Sequence, residues 1–141
     1  MTPQTISPAL TPAQMRLCAT YRNLGLWTLQ GWIAMFFVAA GYAKLTEPMG
    51  NLVALLHWPA MASEAFVRGL GIAEVVLALG VLVPLVSWKV GRPMLLVSAL
   101  GLAILQAVML GVHALGGQIG LALVNAVLLA ITLPVLIGRR S

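Results

Sequence analysis

The chain has 141 residues, of which 61% are hydrophobic and 8% charged, and it carries a net charge of +5. An average soluble domain has about 25% charged residues, so there is too little polar side chain here to clothe a water-soluble surface, and a soluble enzyme or nucleic-acid-binding domain is excluded. Cys18 is the one cysteine, so no internal disulfide and no CxxC metal or redox motif can form.

Residues 1–10 are rich in Pro, Thr and Ser and predict a mobile lead-in. They do not read as a secretory signal, because the first apolar run begins only after Arg22. Thr11-Pro12-Ala13-Gln14 is a helix start, with Thr11 as N-cap, Pro12 in the first turn and Gln14 reaching back. Residues 15–22 then form either a short surface helix or an extension of the first span. Span one is expected at about 23–45 and stops before Thr46, Glu47 and Pro48. In the half-apolar connector that follows, Leu52, Leu55 and Leu56 share one helical face and Trp58 suits a membrane boundary, so a short interfacial helix is expected. Ser63 and Glu64 open span two, about 66–88, whose last turns Pro84 bends. Lys89 to Pro93 is a basic turn, 94–115 is span three, Gly116-Gly117 turns the chain, and 118–138 is span four.

Each span has the length needed to cross about 30 Å of hydrocarbon at 1.5 Å per residue. The expected fold is an all-α polytopic membrane protein, a four-transmembrane-helix bundle. An N-terminal extension (1–22) precedes the transmembrane domain (23–138), and a basic tail (139–141) follows it. Arg16, Arg22, Lys89, Arg92, Arg139 and Arg140 all fall on one side of such a bundle. Lys44 and Arg68 fall on the other, beside Glu47 and Glu64. The positive-inside rule then places both termini in the cytoplasm; a bacterial cytoplasmic membrane is the expected location.

From Gly69 to Trp88, span two contains one ionisable residue, Glu74, about 12 Å from the span's outer end. A carboxylate at that depth is costly unless paired, protonated or turned to a polar cavity. By residue count, Gln106 of span three and Asn125 of span four lie at a similar level. Lys44, His113 and Gln118 form a second layer nearer the surface. Residues align at sevens: Gln30 and Lys44 with Phe37 between them; Gln106 and His113; Gln118, Asn125 and Thr132. Gly71, Glu74 and Ala78 share a stripe on span two, where small residues allow close helix approach. With these stripes inward, Lys44, Glu74, Gln106, His113 and Asn125 would line an outward-facing polar pocket. Plainer roles stand beside that one. Glu74 would form a structural pair with Lys44 or Arg68, or share its proton with Gln106 or Asn125. Lys44 would snorkel, Gln106 and Asn125 would join helices, and His113 would sit at the interface.

These same residues resemble the DoxX family and its DoxX-like relatives, small four-span membrane proteins. The likeness lies in the AGYAKL end of span one (Ala40 to Leu45), the Leu/Trp/Pro-rich connector, the GxxE opening of span two at Gly71 and Glu74, the later Gly80, and the basic turn with two further spans. It covers about Leu24 to Leu136, and Lys44 and Glu74 match the family's polar marks. The resemblance implies a four-helix membrane bundle with a link to redox metabolism, since the family takes its name from a subunit of a thiosulfate-oxidising, quinone-reducing membrane complex. This chain has no cysteine near the outer polar residues, so it offers no sulfur nucleophile there.

Three functions compete. One is an accessory subunit of a membrane redox system, partnered by a redox enzyme and binding a quinone or similar amphiphile, with Glu74 as proton relay. A second is a small-solute or proton transporter gated by Glu74 and Lys44. The third is a non-catalytic scaffold whose polar layer specifies packing, and the small-residue faces would also permit a homo-oligomer. No haem pair, flavin fingerprint, nucleotide loop or metal cluster is legible, and the residues alone name no cofactor and no reaction.

Overall fold

The computed structural model describes residues 9–140; the expected mobile stretch falls mainly on residues 1–8, outside the described residues, as does Ser141 of the basic tail. Five helices, α1 (Pro12–Thr46), α2 (Met49–Leu56), α3 (Glu64–Leu82), α4 (Trp88–Leu115) and α5 (Ile119–Gly138), make an all-helical fold with no strand among the described residues. α1, α3 with its 3-10 extension, α4 and α5 are each long and apolar enough to cross a membrane. The protein is thus a multi-pass membrane bundle.

Local chemistry sets the boundaries. Thr11 Oγ1 accepts from the Gln14 amide at 3.3 Å while Gln14 Oε1 accepts from the Thr11 amide at 2.9 Å, so two orphan donors of the first turn are satisfied reciprocally. α1 then runs without a break through residues 15–22 into the first span, and its first turns stand exposed beyond the bundle. Ser63 caps α3 by accepting from the Phe66 amide at 3.2 Å. Pro84 tightens the end of α3 into a 3-10 turn, Val83–Leu85. Gly117, at φ 72°, closes the turn from α4 to α5, with the Gln118 amide donating back to the His113 carbonyl at 2.8 Å.

The bundle closes on Leu26, Ile33, Phe37, Ala78, Val81, Leu95, Leu102, Leu128 and Val135. A second apolar cluster holds the connector down: Leu52 of α2 and Trp58 pack on Val67 of α3. Trp58 is therefore buried between the connector and α3.

One helix crossing matters most for function. α1 and α3 touch backbone to backbone at Gly41 and Gly71. A Cβ added to Gly41 would lie 2.6 Å from the Gly71 carbonyl oxygen, and one added to Gly71 would lie 2.8 Å from the Gly41 carbonyl oxygen. Only glycine permits that approach. Lys44 and Glu74 each follow one of these glycines by three residues.

Candidate functional site: a buried ion pair and its cavity

Lys44 and Glu74 are 7% and 5% exposed. Lys44 Nζ donates to both carboxylate oxygens of Glu74, at 3.0 Å to Oε1 and 2.8 Å to Oε2. A helical Cα–Cβ bond tilts toward the helix N-terminus. Because α1 and α3 run antiparallel, Lys44 leans inward from the connector end while Glu74 leans outward, and the two meet beside the glycine crossing. The stripe logic holds on α1, where Gln30, Phe37 and Lys44 are all buried, and on α3, where Gly71, Glu74 and Ala78 are buried.

The pair opens onto a cavity of about 110 Å³. α1 supplies Phe36, Phe37, Ala40 and Lys44; α4 supplies Met109 and His113; α5 supplies Leu121, Val124, Asn125 and Leu128. Leu56 and Trp58 of the connector line it too, so the connector forms part of its wall. Two wall residues, Phe36 at 39% and Val124 at 42% exposed, belong to the lipid-facing surface of α1 and α5. The cavity therefore reaches the exposed apolar surface between these two helices.

Of the five residues the sequence nominates, four line this cavity: Lys44, Glu74, His113 and Asn125. His113 Nδ1 and Gln118 Oε1 share a hydrogen bond at 2.5 Å. With Nδ1 as donor, a neutral imidazole keeps Nε2 as an acceptor. Asn125 donates to the Leu121 carbonyl of its own helix at 2.9 Å, which leaves its amide oxygen for a ligand. Gln106 is elsewhere. Its Nε2 donates to Thr132 Oγ1 at 3.0 Å in the α4–α5 seam, and it does not line the cavity. Residue counting puts Gln106 and Asn125 level, but Gln106 on α4 leans away from the α4–α5 turn and Asn125 on the antiparallel α5 leans toward it, so the two side chains diverge. Neither bonds Glu74 among the described residues. Arg68 does not pair with Glu74 either: it binds Glu64 Oε1 at 3.0 Å and caps the end of α1 through the Lys44 and Glu47 carbonyls, at 2.5 and 2.8 Å.

A second polar centre, at the end of the bundle that carries both termini, is one that counting charges missed. Arg139 is folded back into the bundle and is only 6% exposed. Its Nε donates to Gln30 Oε1 at 2.8 Å and its Nη1 to Asn23 Oδ1 at 2.7 Å. Gln30 in turn donates to the Val81 carbonyl at 3.1 Å, where the α-helical ladder of α3 gives way to the 3-10 turn. The signal was available in the sequence: Gln30 lies on the buried α1 stripe and needs a partner, and residues just past a helix end lean back along it.

Among the described residues no group of three His, Cys, Asp or Glu could hold a metal. The profile of the DoxX-like family matches residues 28–135, more than half of the chain. No curated protein and no solved structure matched significantly. The matched region takes in the glycine crossing, both members of the ion pair and every wall of the cavity, and with that coverage the chain belongs to the DoxX-like family.

Proposed function

We propose that the protein binds the polar head of a quinone-like amphiphile in the Lys44–Glu74 cavity and serves as the accessory membrane subunit of a redox system, with both termini cytoplasmic in a bacterial inner membrane. The observation that carries this reading is the cavity's composition: an ion pair on one wall, aromatic and aliphatic side chains on the others, and a border on the exposed apolar surface between α1 and α5. Ligand sites are mostly apolar with a few convergent polar groups. A space of about 110 Å³ is below the ~300 Å³ usual for a drug-sized ligand, so it suits a ring with its tail left in the bilayer. Lys44 would donate to a ring carbonyl, Asn125 and His113 would complete its polar contacts, and Glu74 would take or give the proton. Electrons would come from the partner enzyme. The orientation rests on the Lys and Arg counts, and an active periplasm-only reporter fused after Ser141 would reverse it.

Full-length protein in nanodiscs, titrated with decylubiquinone and followed by tryptophan fluorescence, tests the site, since Trp58 lines the cavity. Saturable quenching that Glu74→Gln and Lys44→Met each weaken at least about tenfold is expected. No saturable quenching in the wild type sinks the proposal. The scaffold reading draws on one observation, that both Glu74 oxygens already hold Lys44. It expects no quinone binding, and normal complex assembly when both charges are replaced together.

A further inference from the structure

The chain's three acidic residues, Glu47, Glu64 and Glu74, all lie in the connector or the nearby half of α3. Arg139 lies at the opposite end of the bundle, and it has no carboxylate side chain within reach. Its guanidinium rests against two indoles, 4.9 Å from the Trp27 ring centre and 5.3 Å from that of Trp88. Two of its nitrogens are spent on Gln30 and Asn23. The third, Nη2, is buried and donates to nothing among the described residues. Beside it is a separate cavity of about 170 Å³, walled by Arg22, Asn23, Leu26, Trp88, Gly138 and Arg139.

We infer that this cavity is a binding site for a phosphate group, held between Arg139 and Arg22. A buried guanidinium with no anion beside it among the described residues is an unfinished arrangement, because neutral amides and indoles compensate its desolvation only in part and Nη2 has no acceptor. Nη2 supplies directed N–H donors, and guanidinium geometry matches phosphate oxygens. Arg22 brings a second cation to the same space. The two like charges repel, and burial together with Arg22 pushes Arg139 below its ordinary range; an anion between them removes both penalties. Arg92 is committed elsewhere, to the carbonyls of Arg139 and Arg140 at 3.2 and 2.6 Å, and so fixes the turn that presents Arg139. Trp27 and Trp88 are aromatic residues of the kind that sit at headgroup level. The phosphate could belong to an anionic lipid headgroup or be free in solution; the recognising chemistry is the same. This inference is independent of the quinone reading, because the cavity shares no wall with the Lys44–Glu74 site.

The test uses full-length protein stripped of lipid in a neutral detergent. Tryptophan fluorescence, which Trp88 in the cavity wall makes sensitive, is followed during titration with short-chain phosphatidylglycerol, short-chain phosphatidylcholine or inorganic phosphate. Saturable binding of phosphatidylglycerol is expected, weakened about tenfold or more by Arg22→Ala and unchanged by Arg16→Ala. If inorganic phosphate competes at similar concentrations, the site takes free phosphate; if only the lipid binds, it reads a headgroup. Both outcomes support the inference. Arg22 is exposed, so its variant should fold even where Arg139→Ala does not. Binding that Arg16→Ala and Arg22→Ala weaken equally is general charge attraction and overturns the site, as does phosphatidylcholine binding as tightly as phosphatidylglycerol, or the absence of saturable binding to phosphatidylglycerol and inorganic phosphate alike.

Discussion

The two ends of this bundle handle a buried charge in opposite ways. At the connector end, Lys44 and Glu74 neutralise each other across a glycine crossing. At the other end, Arg139 is held by neutral amides and indoles, with no side-chain counter-ion. The first arrangement is complete within the protein and leaves a ligand only the remaining hydrogen-bonding capacity of its neighbours. The second leaves one buried guanidinium nitrogen without a hydrogen-bond partner among the described residues. Their difference shows that burial alone does not define a site; what matters is whether the chain itself supplies the compensating group.

Replacing charges one at a time separates the two ends. Glu74→Leu leaves Lys44 buried and unpaired, which costs about 3–5 kcal/mol. It should give the largest fall in stability, measured by thermal or SDS-induced unfolding of the detergent-solubilised protein. The double variant Lys44→Met/Glu74→Leu should recover most of that loss, because a buried pair is often worth no more than well-packed apolar residues. Arg139→Ala should cost less, about 1–3 kcal/mol. It orphans the buried Gln30 oxygen but also removes a charge that has no partner. An Arg139→Ala loss as large as that of Glu74→Leu would mean that the two ends are alike, with Arg139 already compensated. A double variant no better than Glu74→Leu would mean that the pair contributes more than charge balance.

The four spans were legible because composition and periodicity carry them: a run of about 20 apolar residues has few alternatives to crossing a membrane. The inward faces were legible for the same reason, since polar residues repeating at sevens trace one stripe. Lys44 and Glu74 could be paired from sequence as one option among several, because an acid in a greasy helix needs a partner. What settles the choice is backbone geometry. Gly41 and Gly71 bring α1 and α3 within touching distance, and the opposed lean of side chains on antiparallel helices closes the gap. That same lean separates Gln106 from Asn125, and residue counting along a helix axis cannot see it. The connector's share of the cavity wall was hidden for a different reason. Leu56 and Trp58 show as apolar in the sequence, but only the fold brings them, on either side of His57 at φ 64°, to the cavity wall. Arg139 was read as topology because terminal arginines usually are; its burial follows from a long-range bond to Gln30, 109 residues earlier in the chain.

Gln106 and Thr132 complete the comparison as a neutral polar contact in the membrane interior. Gln106 donates to Thr132 Oγ1 at 3.0 Å, Thr132 donates to the Leu128 carbonyl at 2.8 Å, and the Gln106 amide oxygen has no partner among the described residues. Interhelical hydrogen bonds of this kind average about 0.6 kcal/mol within membranes. Thr132→Val keeps the shape and removes the acceptor, so its destabilisation should be the smallest of the series, at or below about 1 kcal/mol. The small value follows from what each change leaves behind: Thr132→Val strands one neutral amide that can turn to another carbonyl, whereas Glu74→Leu strands a full charge with nowhere to go. Unfolding measured alongside the Glu74 and Arg139 variants checks this order. A Thr132→Val loss comparable to that of Glu74→Leu would show that the α4–α5 seam, and not the charged ends, governs the stability of the bundle.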